Sequence, residues 1–488
     1  MSNIILPGHP RYQPRSLKPT FGYDNLYQTV AEVEIATLRT LGEIEVIPRH
    51  EMALLTPEVI CKISEIPTTA VDKVEREITK HDVRAWIRLA QEILGPLAKW
   101  VHIPLTSYDP LDTGRIIQYI RAQTALEPLI DRLIGILISL VRKFANTLQI
   151  GRTHGQHALP ITVGFWLATI LNRILYNAKQ MDSFSNGLVG KISGAVGCSN
   201  AQYGLGIAER CGSVSFEFRV LEKLNLQPAP ISTQILPPEP LAYYLFSANM
   251  MSAALGQLGR DCRHLMRTEI AELSEPFEKG QVGSSTMAHK RNPINFEKAE
   301  SFWLKNIGEF VKVLLGMISE HQRDLVGSAL SRDYPIILVN LAEVLETLLR
   351  KKKNEGGETI PGSEFLSRIS VDEASLRRNF HMSSGVILAE PIYIALQMAG
   401  YEHDAHHLVN HKAMPIAQDR RVNLIMAIES LAEEDGILAD VLKRIPVDVM
   451  DLFNSPEKYT GNAEQKAHFI ADLASTYLTD KEKAKQQN

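Results

Sequence analysis

Apolar residues recur at steps of three and four along much of the chain, which places them on one face of an α-helix. One such run is Leu126, Ile130, Leu133, Leu137, Leu140, Phe144 and Leu148. A second is Leu245, Ala248, Met251, Leu255, Leu258, Cys262 and Leu265, and a third lies between Phe302 and Leu349. Runs of this length predict long helices packed side by side in a bundle. Alternating patterns rich in β-branched residues are scarce, so the pattern predicts an all-α fold with a short hairpin at most.

Prolines and glycines interrupt this helical pattern and suggest how the chain is divided. Pro128 is expected to end or kink the first helix near Glu127, because proline lacks an amide donor and clashes with the preceding turn. Segments rich in such residues lie at 105–114, 226–240, 273–293 and 351–362. The last, KKKNEGGETIPG, has the composition of a solvated linker. We therefore predict three domains, an N-terminal helical one at 1–113, a central bundle at 114–353 and a C-terminal helical one at 354–488.

Composition narrows the class of protein without identifying a chemistry. With 488 residues the chain exceeds what one core usually supports. Its formal charge of -4 gives no electrostatic footprint for nucleic acid or a membrane surface. The four cysteines are scattered, without the spacing of a zinc site or a disulfide framework. The N-terminus lacks the long apolar run of a secretory signal, and acidic and basic residues interrupt the apolar stretch 126–141. We expect a cytoplasmic protein.

A polar segment between Glu278 and Pro293 carries the strongest indication of chemistry. It contains Gly-Ser-Ser-Thr-Met-Ala-His-Lys-Arg-Asn-Pro at 283–293 and has no apolar periodicity. Its glycines permit a lid-like movement, and its basic and amide side chains suit a carboxylate. Composition alone would equally allow a flexible surface loop with chance serines.

This segment resembles the GSSxMPxKxNP loop of the fumarase/aspartase superfamily. The resemblance implies a three-domain all-α fold with a long central bundle, and a β-elimination in which Ser284 removes the Cβ proton. It also implies that Ser285 binds substrate, while Lys290 and Asn292 hold the aci-carboxylate. A serine base needs positive charge and amide donors that stabilise its alkoxide. Ala288 replaces the family's usual proline, which leaves the reactive groups in place.

A second segment, Gly-Arg-Thr-His-Gly-Gln-His-Ala-Leu-Pro at 151–160, resembles the adenylosuccinate lyases within that superfamily. The resemblance implies that His154 is the general acid that protonates the leaving nitrogen, and that Thr153 contacts substrate. An imidazole suits this task because its pKa normally lies near neutrality. Without the resemblance, a lone histidine would more often be structural.

Shorter segments resemble the same family in the same order along the chain. The resemblance implies that they bind the phosphate and two carboxylates of the substrate, a task that suits the planar fork of arginine. These substrate-binding candidates are Arg11, Tyr12, Lys80, His81, Asp82, Thr106, Ser107, Gln234, Arg323, Ser328 and Arg332. His102 and Glu297 are expected to play supporting roles, although Glu297 also suits the first turn of a helix. Lys298 departs from the family, where many members have asparagine.

The resemblance implies cleavage of a C–N bond that releases fumarate from adenylosuccinate, giving AMP, and from succinylaminoimidazole carboxamide ribotide, giving AICAR. It implies no metal and no organic cofactor, no nucleic acid or membrane partner, and a homotetramer with sites shared between subunits. Two alternatives remain open from the residues. One is another lyase of the superfamily or a carboxymuconate cycloisomerase, which shares the serine loop. The other is a catalytically silent protein on the same scaffold.

Overall fold

The computed structural model describes residues 3–278, 280–281, 283 and 286–487. Most of them are helical, which confirms the predicted all-α class. The chain begins with short helices, and their bounds are α1 Lys18–Phe21, α2 Gln28–Glu43, α3 Arg49–Met52, α4 Pro57–Ser64, α5 Thr68–Val74 and α6 Asp82–Leu94. Single 3-10 turns lie at Arg15–Leu17, Tyr23–Asn25 and Gly95–Trp100, and a π-helical turn lies at Glu75–Thr79.

Long helices follow where the apolar periodicity predicts them, except that the first predicted run extends too far. Its helix ends at Lys143, so Phe144 lies beyond the helix and Leu148 begins a strand. The bounds of the long helices, with those of the shorter helices between them, are α7 Tyr108–Lys143, α8 Val163–Asn186, α9 Asn200–Gly204, α10 Ile207–Arg210, α11 Phe216–Glu222, α12 Glu239–Leu265, α13 Ile294–Leu315, α14 Val326–Asp333 and α15 Ile336–Leu348. The predicted apolar positions of α7 from Leu126 to Leu140 are all buried. The prediction that Pro128 ends this helix is wrong, because α7 continues through it. Burial of Leu126, Ile130 and Leu133 on both sides of the proline offsets the loss of one backbone hydrogen bond.

Three small antiparallel sheets interrupt the described part of the chain. Strands β1 Leu148–Thr153 and β2 Gln156–Thr162 form a hairpin, β3 Leu273–Ser274 pairs with β6 Ser370–Val371, and β4 Lys351–Lys353 pairs with β5 Thr359–Glu364. The expected linker at 351–362 is exposed, but it is the β4–β5 hairpin rather than an irregular segment. Pairing satisfies backbone groups that an irregular linker would leave to water.

The C-terminal region consists of short helices and a final helix of 25 residues, and the helices between 389 and 453 surround an apolar cluster that includes Leu396, Val409 and Ile428. Their bounds are α16 Glu373–His381, α17 Ala389–Met398, α18 Ala405–His407, α19 Met414–Arg420, α20 Leu424–Ala432, α21 Gly436–Arg444, α22 Val447–Phe453 and α23 Ala463–Gln487. A π-helical turn, Leu408–Ala413, joins α18 to α19, and 3-10 turns lie at Leu366–Arg368 and Pro456–Lys458.

The chain forms two compact units, each assembled from three stretches of sequence. The first unit comprises Met1–Asp131, Tyr176–Gly256 and Lys298–Leu348, and the second comprises Arg132–Leu175, Gln257–Glu297 and Leu349–Asn488. The division into three consecutive domains remains a prediction. No helix within the described ranges is both long enough and apolar enough to span a membrane.

Candidate active site

An open cavity of about 540 Å³ in the first unit gathers most of the substrate-binding candidates. Four separate stretches of sequence contribute to its wall. Nine predicted residues line it, namely Lys80, His81, Asp82, Thr106, Ser107, Gln234, Arg323, Ser328 and Arg332. Lysine and arginine side chains thus converge with hydroxyl and amide groups on one space. This combination can hold a ligand that carries several anionic oxygens.

The three candidates at the start of α6 are held by local backbone geometry. Lys80 adopts a left-handed conformation with φ of 55°, which turns the chain into the helix. His81 caps the helix, because its Nδ1 accepts the amide N–H of Arg84 at 3.5 Å. The Asp82 carboxylate accepts a hydrogen bond from Arg332 at 3.3 Å. Arg332 is therefore anchored on one side while its remaining donors are available to a ligand.

A buried charged network fixes Thr106 and Ser107 at the entrance of α7. Thr106 N–H donates to Asp109 Oδ2 at 2.8 Å, so Asp109 caps the turn. The same carboxylate accepts the amide of Ser193 at 3.1 Å and pairs with the ammonium group of Lys191. Both charged side chains are fully buried. Since a buried ion pair persists only with good partners, this network ties the 191–194 loop to the hydroxyl-bearing turn.

The loop at 191–197 also supports Gln234. Ser193 Oγ lies 2.6 Å from Ser232 Oγ, two residues before the glutamine. Gly197 lies so close to this segment that a Cβ at its position would be 2.1 Å from the Ser232 carbonyl oxygen. Only glycine permits this approach, and its φ of 79° also favours glycine.

Arg323 is held from two directions inside the cavity wall. Its Nη1 donates to Gln234 Oε1 at 2.8 Å. Its guanidinium carbon lies 3.2 Å from the centre of the Tyr108 ring. The plane of the guanidinium group is therefore fixed before any ligand binds.

Asp324, next to Arg323, uses its carboxylate to hold the loop at 319–326. Its carboxylate accepts backbone amides of Glu320 and Val326, both at 2.6 Å, and the Ser319 hydroxyl at 3.2 Å. These hydrogen bonds, chiefly the one from Glu320, lower the pKa of the Asp324 carboxyl. The aspartate stays ionised and holds the turn that presents its neighbour.

Arg11, Tyr12 and the supporting His102 do not line this cavity. The Tyr12 ring packs edge-on against Phe302 with centroids 5.0 Å apart, and the Lys298 ammonium lies 5.4 Å from its centre. Arg11 is exposed. His102 is held by a buried carboxylate, because its Nδ1 lies 2.7 Å from Glu34 and its amide donates to the same side chain at 3.0 Å.

In the second unit, Thr153 and His154 lie at the exposed tip of the β1–β2 hairpin. Thr153 pairs with Gln156, so His154 and Gly155 form a two-residue turn with φ of 53° and 78°. Two positive φ values are the signature of a type I′ hairpin turn. The imidazole of His154 is thus presented at an apex.

A second buried network holds this hairpin against α16. Arg152 donates to Glu272 at 2.6 Å, Gln149 donates to it at 2.9 Å, and Asn379 donates to it at 2.8 Å. Glu272 is fully buried, and these donors compensate its charge. His157 lies on the same hairpin with Nδ1 2.7 Å from Ser383 Oγ, and burial lowers its pKa.

In the predicted loop at 278–293, Ser284 and Ser285 lie outside the described residues. Asn292 Nδ2 donates to the Gly283 carbonyl at 3.2 Å, and a Cβ on Gly283 would be 2.2 Å from the Lys290 carbonyl oxygen. The Lys290 side chain is exposed. Beyond this loop, Glu275 accepts the backbone amides of Asn295 and Phe296 and so holds the start of α13.

Glu297 lies exposed in the first turn of α13, where an acidic residue favours the helix dipole. Lys298 beside it pairs with Glu343 at 2.5 Å and donates to Thr347 at 2.9 Å. Lys298, the residue that departs from the family, is therefore held by Glu343 and Thr347 within this chain.

The sequence motifs assigned no role to several organising residues. They are Glu34, Tyr108, Asp109, Lys191, Glu272 and Asp324. Only Asp109 had a usable signal, since it follows Thr106 at the spacing of a helix cap. Distant partners explain the roles of Glu34, Tyr108, Lys191 and Glu272; Lys191, for example, pairs with Asp109, which lies 82 residues before it. Asp324 instead binds residues within five positions of itself. Among the residues that the structure describes, no three His, Cys, Asp or Glu side chains cluster in a way that suits a metal ion.

Comparison with known proteins places these features in context. A family model described as Lyase matches residues 30–306, more than half of the chain. The adenylosuccinate lyase of Pyrococcus horikoshii is 32% identical, covering 94% of this chain and 96% of its own. That of Archaeoglobus fulgidus is 31% identical, covering 97% of this chain and 100% of its own.

Solved structures share the fold at lower identity. The 3-carboxy-cis,cis-muconate lactonizing enzyme of Pseudomonas putida is 22% identical with a TM-score of 0.77, covering 96% of this chain and 98% of that one. A fumarate lyase of Mesorhizobium sp. BNC1 is 20% identical with a TM-score of 0.75, covering 94% and 98%. Both support the fold alone.

Proposed function

This chain belongs to the lyase family that includes the adenylosuccinate lyases of the fumarase/aspartase superfamily, and from that premise we propose how it releases fumarate. It is a carbon–nitrogen lyase that acts on adenylosuccinate, giving AMP, and on succinylaminoimidazole carboxamide ribotide, giving AICAR. The observation that carries the proposal is the convergence of nine binding candidates from four stretches of sequence on one cavity. A succinylated nucleotide needs this many donors, because it carries a phosphate and two carboxylates.

The elimination needs a base at Cβ of the succinyl group and an acid at the nitrogen that is bonded to its Cα. Ser284, as its alkoxide, takes the Cβ proton, and the electron pair passes into the adjacent carboxylate to form the aci-carboxylate. Lys290 and Asn292 stabilise this dianionic group, and the exposed ammonium of Lys290 is free to approach it. The pair then forms the C–C double bond as the C–N bond breaks. His154 gives its proton to the leaving nitrogen, so that fumarate and the amine product depart.

The remaining candidates hold the substrate in place. Arg323, Ser328 and Arg332 bind anionic oxygens from one wall of the cavity, while Thr106, Ser107 and Gln234 donate hydrogen bonds from another. Lys80, His81 and Asp82 complete the rim, and Thr153 and Ser285 accompany the two proton-transfer residues. Arg11 and Tyr12 remain candidates for binding the phosphate, and His102 and Glu297 remain candidates for supporting roles. In the single chain Tyr12 packs on Phe302, His102 pairs with Glu34, and Glu297 lies in the first turn of α13.

The proposed assembly is a homotetramer with sites shared between subunits. An exposed apolar face on α12 and α13 supports it, since such a face usually marks a protein interface. Its residues recur at helical spacing and are Tyr243, Phe246 and Met250 on α12 and Leu304, Ile307, Val311 and Leu314 on α13. Phe246 packs against Phe310 with centroids 5.6 Å apart, which makes the face continuous. We also propose a cytoplasmic location, which suits four cysteines that are all free thiols.

A substrate comparison tests the function. The purified chain is incubated separately with adenylosuccinate, with succinylaminoimidazole carboxamide ribotide and with a carboxymuconate, and product formation is followed by absorbance and chromatography. We expect fumarate with equimolar AMP or AICAR from the first two. Turnover of the muconate without fumarate from either succinyl compound would identify a cycloisomerase instead. Inactivity toward all three in a folded protein would favour a silent scaffold.

A further inference from the structure

Tyr108, which is not among the predicted site residues, makes a close contact with an arginine of the cavity wall. The Arg323 guanidinium carbon lies 3.2 Å from the centre of the Tyr108 ring, so the cation rests on the aromatic face. Both side chains line the cavity that holds the substrate-binding candidates. An arginine over a tyrosine ring is attracted by the negative face of the ring, and more strongly where water is excluded.

The stacking determines which edges of the guanidinium remain for a ligand. One face of the planar group is covered by the ring, and one N–H is used by Gln234 at 2.8 Å. Arginine offers five N–H donors in a fixed fork, so donors remain for a carboxylate or phosphate. Without the ring, the long side chain would regain torsional freedom, which ligand binding would have to remove.

Tyr108 is itself held rigidly at the first position of α7. The next residue is Asp109, whose buried carboxylate joins Lys191, Ser193 and the turn at Thr106. Because Tyr108 lies directly before Asp109 and two residues after Thr106, its ring has little freedom to move. The buried pair of Lys191 and Asp109 therefore limits the movement of Tyr108, and the Tyr108 ring in turn limits the movement of Arg323.

Asp112, in the wall of a second cavity beside the Tyr108–Arg323 pair, is an alternative partner for Arg323. A smaller, mainly apolar cavity of about 140 Å³ is also lined by Tyr108 and Arg323, and Asp112 lies in its wall. Arg115 approaches that carboxylate only to 3.7 Å. A released guanidinium would be attracted toward Asp112 and away from the ligand.

We propose that Tyr108 is a positioning residue, which holds the Arg323 guanidinium toward the substrate's anionic group. The inference rests on the proposed function, because it takes the cavity to be the substrate site. Tyr108 makes no chemical step. It sets the orientation in which Arg323 binds.

The test compares Tyr108→Leu with Tyr108→Phe in the full-length chain. Leucine removes the aromatic face, whereas phenylalanine keeps it and removes only the hydroxyl. We expect Tyr108→Leu to raise the KM for adenylosuccinate about tenfold, with kcat changed less than about threefold. Tyr108→Phe should restore KM to within about threefold of the wild-type value. Thermal unfolding of each variant reports whether the fold is kept.

A double-mutant cycle separates positioning from general damage. The Kd of AMP is measured by calorimetry for Tyr108→Leu, Arg323→Lys and the double variant, since a primary ammonium lacks the planar face that stacks. In the Arg323→Lys background, Tyr108→Leu should change the Kd less than about twofold. Full additivity, or equal damage from phenylalanine and leucine, would overturn the inference. If the wild-type chain neither turns over adenylosuccinate nor binds AMP, the proposed function itself fails.

Discussion

Two aspartates beside Arg323 illustrate how environment assigns a role to each residue. Asp324 accepts backbone amides, and its pKa is lowered. Asp112 lies in the wall of the apolar cavity, where burial raises its pKa despite Arg115 and the amide of Leu236. Neither is in the proposed proton path. Their opposite shifts nevertheless make opposite predictions for stability.

Replacing Asp112 with asparagine should change how stability depends on pH. Because the pKa of Asp112 is raised in the folded chain, the wild-type protein loses stability as pH rises from the unfolded value of about 3.9 through the folded value. Asparagine does not titrate. Urea unfolding at several pH values from about 4 to 7 should therefore show Asp112→Asn gaining stability relative to wild type as pH rises.

Asp324→Asn is the matched control with the opposite sign. Its folded pKa is lowered, so the wild-type protein gains stability as pH rises through the folded value toward about 3.9, and keeps that gain above it. The asparagine variant should fall behind wild type as pH rises from about 2 to about 4, and the urea series for this variant covers that range. A constant offset for both variants at every pH would contradict the assigned environments.

For single residues, sequence patterns identify the side chains that carry unusual chemistry, but they miss the residues that hold these side chains in position. His154, Lys290 and Arg323 belong to dense polar motifs that a pattern can match. Tyr108 and Glu272 look ordinary in the sequence, because their importance arises from partners that only folding brings near.

At the level of elements, apolar periodicity predicted the long helices because burial of one face determines helix position. The expectation that Pro128 ends the first helix was wrong, because packing on both sides keeps α7 continuous. The β4–β5 hairpin was predicted as a linker, because exposed strands leave no apolar pattern. Glycines mark places where a turn or a close approach decides the backbone, and the 191–197 loop contains two of them.

Gly194 and Gly197 provide a matched pair, since both have φ of 79°. A Cβ on Gly194 meets no atom within 4 Å, whereas one on Gly197 would be 2.1 Å from the Ser232 carbonyl oxygen. Gly194→Ala should cost about 1–2 kcal/mol for its backbone conformation alone. Gly197→Ala should cost clearly more and also lower kcat/KM, because the segment leading to Gln234 must move.

Chemical unfolding and steady-state kinetics on both alanine variants provide the comparison. A variant of Gly197 that is too unstable to purify, beside a folded Gly194 variant, agrees with the expectation. Equal losses in the two would show that backbone conformation alone governs this loop.

For the whole molecule, the exposed apolar face on α12 and α13 is the feature that one chain leaves unexplained. If it is the assembly interface, charges placed on it should separate the subunits, since a carboxylate cannot be buried there without a partner. Ile307→Glu combined with Val311→Glu should lower the mass in analytical ultracentrifugation from a tetramer to smaller species. Activity should fall with it, because the proposed sites are shared.

Met398→Glu is the control for this prediction, because Met398 is an exposed apolar residue of the second unit, away from α12 and α13 in sequence. It should leave both mass and activity unchanged. A double variant that stays tetrameric would exclude the face as the interface, and a fully active monomer would exclude shared sites.

In the proposed mechanism, this chain releases fumarate by proton removal at Ser284 and proton donation at His154. The most direct measurement is the rate of fumarate release from adenylosuccinate by wild type and by Ser284→Ala, with substrate binding followed by calorimetry. We predict rapid equimolar fumarate and AMP from wild type, and at least a thousandfold loss in Ser284→Ala, about 4 kcal/mol in the barrier, with binding retained. Near-normal turnover by Ser284→Ala would contradict the account.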